Sequence, residues 1–298
     1  MTNLLIKDGG TFDKRLKSDG IGTDADPYVM VQANSLDPLY MAQEEILRLT
    51  GDTVSITSNM KTLRKFGRNE SIGSTRTTIA EFQGSETIEV LQTTNSIDKI
   101  ISDDAAFVGV VVIEGHTISS GLLTFVTQEA TLNGQTAVTL GTPLARSMRI
   151  EYKRGDGNEL ATDKKIYVYE DDTTTAGVPN TNAKVHLQMQ QKYGRSQKAQ
   201  TSTGNDEYWI ITEIYAGILR KTSAAGNAEM RMCFVGDPFQ TVLEVPVSST
   251  GNPFATFPLD NGYMIIPKNH DWSMAASASA SSVEMVAGAF GYLASIEV

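Results

Sequence analysis

The chain has 298 residues, 40% of them hydrophobic, with 25 lysines and arginines against 35 aspartates and glutamates, a formal charge of −10. A chain of this length buries about three quarters of its unfolded surface, so a core needs neither disulfide nor metal, and the acidic balance argues against general nucleic-acid binding. The lone Cys233 has no partner for an internal disulfide and sits in the alternating apolar stretch 230–235, where it reads as a small buried hydrophobe.

Residues 1–68 carry as many basic as acidic side chains, so the whole acidic excess lies beyond Arg68: the front is neutral and the body acidic. The opening apolar run Leu4-Leu5-Ile6 is far too short for a signal-peptide core, and no segment has the length to span a bilayer. A protein made and kept soluble, without a membrane partner, is expected.

Residues 1–36 show little apolar periodicity and are punctuated by Gly9-Gly10, Gly20, Gly22, Asp19, Asp24, Asp26 and Pro27, the pattern of an extended arm. Gly20 to Ala25 formally fits a dinucleotide glycine pattern, but no strand precedes it and Asp26-Pro27 blocks a helix. The three aspartates lack the spacing of a helix-loop-helix calcium loop and read as turn residues. One helix is expected over 38–50: Asp37 caps it, Pro38 takes the first position, Leu39, Ala42, Ile46 and Leu49 share a face, and Gly51 closes it.

From Val54 onward, β-branched segments alternate with glycine and polar clusters, the habit of sandwiches and barrels. Strands are expected over 53–56, 77–82, 88–92, 99–101, 108–114, 122–132, 137–140, 148–153, 165–169, 184–190, 207–220, 229–235, 242–247, 255–257, 263–266, 272–280 and 283–296. Asn133-Gly134 is the strongest hairpin signal, since both residues tolerate positive φ. In 276–280 alanine and serine alternate, which on a pleated strand puts Ala276, Ala278 and Ala280 on one face and Ser277 and Ser279 on the other. The fold class is mainly β: antiparallel sandwich or jelly-roll units, an N-terminal extended arm and one short helix. The expected regions are 1–56, 57–180 and 181–298, the last two meeting near the polar loop 171–182.

Catalytic patterns are missing. There is no histidine-glutamate metalloprotease motif, phosphate-cradling glycine-lysine loop or nucleophile elbow. His116, His186 and His270 are far apart in sequence and read as singly hydrogen-bonded residues rather than metal ligands. Glu170-Asp171-Asp172 sits in a polar loop, whereas a glycosidase pair needs one carboxyl in an apolar pocket. Tyr208, Trp209 and Tyr215 make a carbohydrate-facing aromatic platform conceivable, though core packing is the usual use of such residues. The expectation is a non-enzyme with no cofactor and no bound metal.

The segment Leu63-Arg64-Lys65-Phe66-Gly67-Arg68-Asn69 resembles a lysine-phenylalanine-glycine-arginine-asparagine motif of a family of tailed-phage virion structural proteins. The similarity continues, in order, through residues 109–115, 129–138, the turn Ile265-Ile266-Pro267-Lys268-Asn269-His270-Asp271 with its small-residue strand, and Gly288-Ala289-Phe290-Gly291-Tyr292-Leu293, covering about residues 60 to 298. Family members carry an acidic–tryptophan pair where this chain has Glu81-Phe82. The resemblance implies a β-sandwich component of the virion, assembled in the host cytoplasm.

A glycine-rich arm, with four basic against five acidic side chains in residues 1–36, on an acidic sandwich suits a module that docks on the major capsid lattice and ties neighbouring subunits together, a cement or decoration protein. The contact candidates are Lys14, Arg15 and Lys17 of the arm with Lys61, Arg64, Lys65 and Arg68, and a homo-oligomer, as a trimer, is expected. The alternative is a tail-associated receptor-binding module. The absence of a heptad run for a fibrous attachment weighs toward the first.

Overall fold

The computed structural model describes residues 4–7, 13–19, 29–32, 38–52, 54, 60–80, 91–220, 224–251, 253–257, 259, 262–280 and 283–296. Asp37, Glu81-Phe82, most of the expected strands at 53–56 and 88–92, and the side chains of Lys14, Arg15 and Lys17 lie outside the described residues. Within the arm, β1 (Leu4–Lys7), β2 (Asp13–Asp19) and β3 (Val29–Gln32) pair in order as an antiparallel sheet.

Helix α1 spans Pro38–Thr50, starting on the proline whose missing N–H costs nothing in a first turn. Gly51, at φ +76°, closes it by donating its N–H to the Leu47 carbonyl at 3.0 Å. Ala42 and Ile46 are buried against Tyr208, Ile210 and Ala294 of a sheet. Leu49, which the 3.6-residue period puts beside them, is 62% exposed because the packing stops at Ile46.

The remaining described strands are all antiparallel and, apart from one two-stranded ribbon, make two sandwiches. The larger has β15 (Gln200–Ser202), β21 (His270–Ala278), β17 (Ala225–Phe234) and β18 (Gln240–Ser248) in one sheet, with β5 (Thr77–Thr78) added beside β21. Its other sheet orders β19 (Phe254–Phe257), β16 (Glu207–Arg220), β22 (Val283–Ser295) and β4 (Lys61–Ile72), with β20 (Met264–Ile266) beside β16. Trp209 and Trp272 meet edge to face between the sheets, centroids 4.9 Å apart. Ala276 and Ala278 of β21 join the same core as Ala287 and Ala289 of β22, so the alternating stretch is a strand with these alanines inward as far as Ala278, where the strand ends two residues short of the expected 280.

The smaller sandwich packs β10 (Arg146–Tyr152), β7 (Val110–Ser119) and β8 (Leu122–Thr131) on β14 (Val185–Gln190), β11 (Lys165–Glu170), β6 (Ile97–Ser102) and β9 (Val138–Leu144). Val111, Ile113 and Ile150 of the first sheet meet Ile100, Ile166, Val168 and Leu187 of the second. In the loop between β11 and β14, β12 (Thr174–Thr175) and β13 (Val178–Pro179) form a two-stranded ribbon.

Two expectations about connectivity change. The strand grouping does not divide near residue 180: β4 and β5 pair into the larger sandwich and β14 into the smaller, so 97–190 is inserted between segments 61–80 and 200–296 of the larger unit. Asn133-Gly134 does turn the chain, with Gly134 at φ +56° and the Thr136 N–H on the Asn133 carbonyl at 3.1 Å. The strands it joins, β8 and β9, then diverge into opposite sheets. The Gln128 side chain bridges the gap, its amide donating to the Thr142 carbonyl at 2.7 Å and accepting the Thr142 N–H at 2.9 Å.

Candidate functional site

Strand β4 carries the basic segment singled out from the sequence. Its pleat sends Leu63, Lys65 and Gly67 inward and Arg64, Phe66 and Arg68 outward. Gly67 is needed where it stands: a Cβ would lie 2.0 Å from the Ile79 carbonyl oxygen and 2.4 Å from the Ala199 nitrogen. Lys61 and Arg64 are exposed, as a contact role requires. Lys65 is buried, which removes it from the outer surface. Its Nζ donates to the Met148 carbonyl at 3.0 Å, and burial pushes the amine down to about 7.

Lys65 thereby belongs to a polar seam between the sandwiches. Arg146 forms a two-pronged ion pair with Asp271, Nε to Oδ1 and Nη2 to Oδ2 both at 2.8 Å, and both side chains are buried. Ser202 adds its Oγ to Asp271 Oδ1 at 2.5 Å, while Arg146 also donates to the carbonyls of Gln92 and Ala145. Lys198 Nζ reaches the carbonyls of Ser147 at 3.2 Å and His186 at 2.8 Å. Asn269, at φ +55°, accepts the Leu123 N–H at 2.9 Å. The Arg146–Asp271 pair and the Lys65, Lys198 and Asn269 contacts cross from one sandwich, or the segment leading into it, to the other, while Ser202, Ala145 and Gln92 support the ion pair from its own sides.

The outward residues of β4 form one wall of a groove of about 560 Å³. The opposite wall comes from residues that sequence reasoning passed over, Lys192, Tyr193 and Arg195. A signal was present, because Lys65-Phe66-Gly67-Arg68 and Lys192-Tyr193-Gly194-Arg195 repeat one pattern of lysine, aromatic, glycine and arginine. Both tetrads feed this groove: Arg68 lies over the Tyr193 ring at 5.3 Å and Lys192 over the same ring at 4.8 Å. Arg68 pairs with Glu284, and Lys192 with Glu70 at 3.3 Å. On the floor, Tyr215 stacks with Phe66, centroids 6.3 Å apart and planes at 25°.

The other candidates separate. Of the three aromatics on β16, Trp209 enters the core, Tyr208 lies under α1 with its hydroxyl donating to Asp52 at 2.5 Å, and Tyr215 alone reaches the groove. His116 is fully buried against the edge of Phe125, His186 Nε2 meets Glu170 at 2.8 Å, and His270 Nδ1 meets the Lys268 carbonyl at 2.9 Å. No group of three metal-ligating side chains occurs among the described residues. Asp172 accepts the Thr181 N–H at 2.7 Å, and Lys184 donates to the Asp171 carbonyl at 2.6 Å, so this acidic run ties down its own loop. Cys233 is buried, and burial pushes its thiol up to about 12. No described helix is long and apolar enough to cross a membrane.

No family model matches the chain, and neither does any curated protein. Among solved structures it is similar to VP2 of infectious bursal disease virus in a subviral particle, with 12% identity, a TM-score of 0.19 and coverage of 85% of this chain and 76% of that one. A structure of the Gt strain of the same virus gives 10% identity, a TM-score of 0.17 and coverage of 85% and 77%. At TM-scores this low the likeness carries no argument about function.

Proposed function

We propose that this chain is a structural protein of a bacteriophage virion, a cement or decoration protein that docks on the major capsid lattice and bridges subunits. The observation that carries the reading is the seam: Arg146, Asp271, Lys65 and Lys198 are buried and engaged in joining two sandwiches. A protein whose interior ionic groups serve its own rigidity works through its outside. The resemblance of residues 63–69 and the later segments to tailed-phage structural proteins gives the setting, a virion assembled in the host cytoplasm. Lys61, Arg64 and Arg68, with Lys14, Arg15 and Lys17 on β2, remain the contact candidates toward the lattice or a neighbouring copy. A homotrimer suits the three-fold positions of such a lattice, and the formal charge of −10 suits a surface that avoids nucleic acid.

The test is a count of copies per purified particle by quantitative mass spectrometry against the major capsid protein. A shell component is present on the order of hundreds of times. About a dozen copies, the number a tail ring supplies, would overturn the cement reading in favour of the tail-associated receptor-binding module. That second reading draws on one observation, the exposed groove where arginines flank stacked rings.

A further inference from the structure

The outer face of the β19-β16-β22-β4 sheet is covered at one end by α1. At the other end two rings lie across positions that lack side chains. Phe254 crosses Gly217, where a Cβ would come within 2.4 Å of the ring, and Tyr215 crosses Gly288, where a Cβ would come within 2.7 Å of the phenol oxygen. A side chain at Gly288 would meet the Lys65 carbonyl oxygen at 2.2 Å as well as the Tyr215 ring, so the ring lies flat only where glycine stands.

Charge is distributed unevenly around this pair. Arg68 and Lys192 are paired with Glu284 and Glu70. Arg64 and Arg195 are exposed, and neither pairs with a carboxylate among the described residues. Both bear on the Tyr215 phenol: burial raises its pKa, Arg64 pulls it back through charge and a hydrogen bond, the exposed Glu213 carboxylate raises it, and Arg195 pulls it back through charge. Arg64, Arg68, Lys192 and Arg195 thus face three carboxylates, Glu70, Glu213 and Glu284. A local positive excess on a protein of formal charge −10 therefore sits beside stacked rings in a concave site.

We infer that this groove binds a carboxylated saccharide, with Arg64 and Arg195 receiving the carboxylate and the Phe66–Tyr215 pair receiving a pyranose ring. A guanidinium presents parallel N–H donors that match a carboxylate. The electron-rich face of an aromatic ring accepts the C–H face of a sugar. The groove's volume falls in the range of small-ligand sites. A nucleic acid needs a longer track of free cations to follow its phosphates, and an acidic peptide would use the arginines and leave the rings idle. The inference does not depend on whether the chain sits on a head or a tail, so its failure leaves the copy-number test untouched.

The experiment is calorimetric titration of the full chain with sialyllactose and with trigalacturonic acid, which distinguish sialic from uronic acids, against lactose as the neutral control. Binding of at least one acid, absent for lactose and weakened about tenfold or more by Arg64→Gln and by Arg195→Gln, is the expected result. Arg154→Gln, an exposed position that does not line the groove, should leave it unchanged. Tyr215→Ala should weaken the acid sugar, while circular dichroism checks that each variant stays folded. The inference is overturned if neither acid binds, or if Tyr215→Ala is folded and without effect. It is likewise overturned if polyglutamate or oligo-dT binds as tightly with the same arginine dependence.

Discussion

Asp271 and Arg146 show how much one buried pair decides here. Two parallel hydrogen bonds and the Ser202 hydroxyl complete the carboxylate, and the guanidinium's Nη1 donates to the backbone carbonyls of Gln92 and Ala145. Removing one partner strands a charge without water, which costs about 3–5 kcal/mol, whereas replacing both by apolar side chains of similar size removes that penalty. Asp271→Asn should therefore lower the stability seen in urea unfolding by about that amount, and Arg146→Met with Asp271→Leu should lower it less. A second residue gives a pH signature. Both ring nitrogens of His116 are buried without a partner among the described residues, and burial, with Lys65 and Arg146 pushing the same way, lowers its pKa from 6.5 to about 3. Across that window the unfolded chain takes up a proton that the folded chain refuses, so the folded state loses stability as pH falls, by at most about 1.4 kcal/mol per pH unit. His116→Leu should flatten this limb in denaturation curves measured between these pH values, and an unchanged slope would show that other groups set it.

Strand β4 explains what the sequence conceals about its elements. Helix α1 and most strands of both sandwiches were legible, because their buried faces are apolar and their periods are those of helix and sheet. In β4 the inward positions after Leu63 are Lys65 and Gly67, one holding a carbonyl of the other sandwich and one touching backbone, so the alternation that marks a strand is missing. The groove was half legible: Arg64 and Arg68 were picked out as exposed cations, but Lys192, Tyr193 and Arg195 lie more than a hundred residues away and meet them only through tertiary packing. Gly67→Ala tests the close approach directly. The new methyl would press on backbone atoms of Ile79 and Ala199, which cannot rotate away, so a loss of about 1–3 kcal/mol or more is expected. Gly141→Ala is the matched control, since its Cβ would meet nothing nearer than the Gln128 amide oxygen at 3.6 Å, and its thermal midpoint should stay near that of the unmodified chain.

At the scale of the molecule, two separate hydrophobic cores have no apolar reason to unfold together. What couples them is the seam and the topology. The smaller sandwich is inserted into the larger, so its chain leaves from the segment after β5 and returns at the segment before β15, and both ends are anchored in the other unit's sheets. The Ser196 N–H bonds the Ile150 carbonyl at 2.9 Å, and the Ser196 hydroxyl accepts the Ile150 N–H at 3.1 Å, extending the contact along β10. Interfaces between domains of one chain are ordinarily polar and allow relative motion. This one differs because its charged groups are buried and hydrogen-bonded, so opening it exposes the Arg146–Asp271 pair, Lys65 and Lys198 at once. Calorimetric unfolding of the intact chain should accordingly give one transition for residues 61–296. Asp271→Asn weakens the coupling more than either core, so its trace should broaden or divide into two, with the Trp209–Trp272 fluorescence reporting the larger sandwich alone. Two transitions in the unmodified chain, or a single sharp one retained in Asp271→Asn, would mean that the seam is not what binds the sandwiches into one unit.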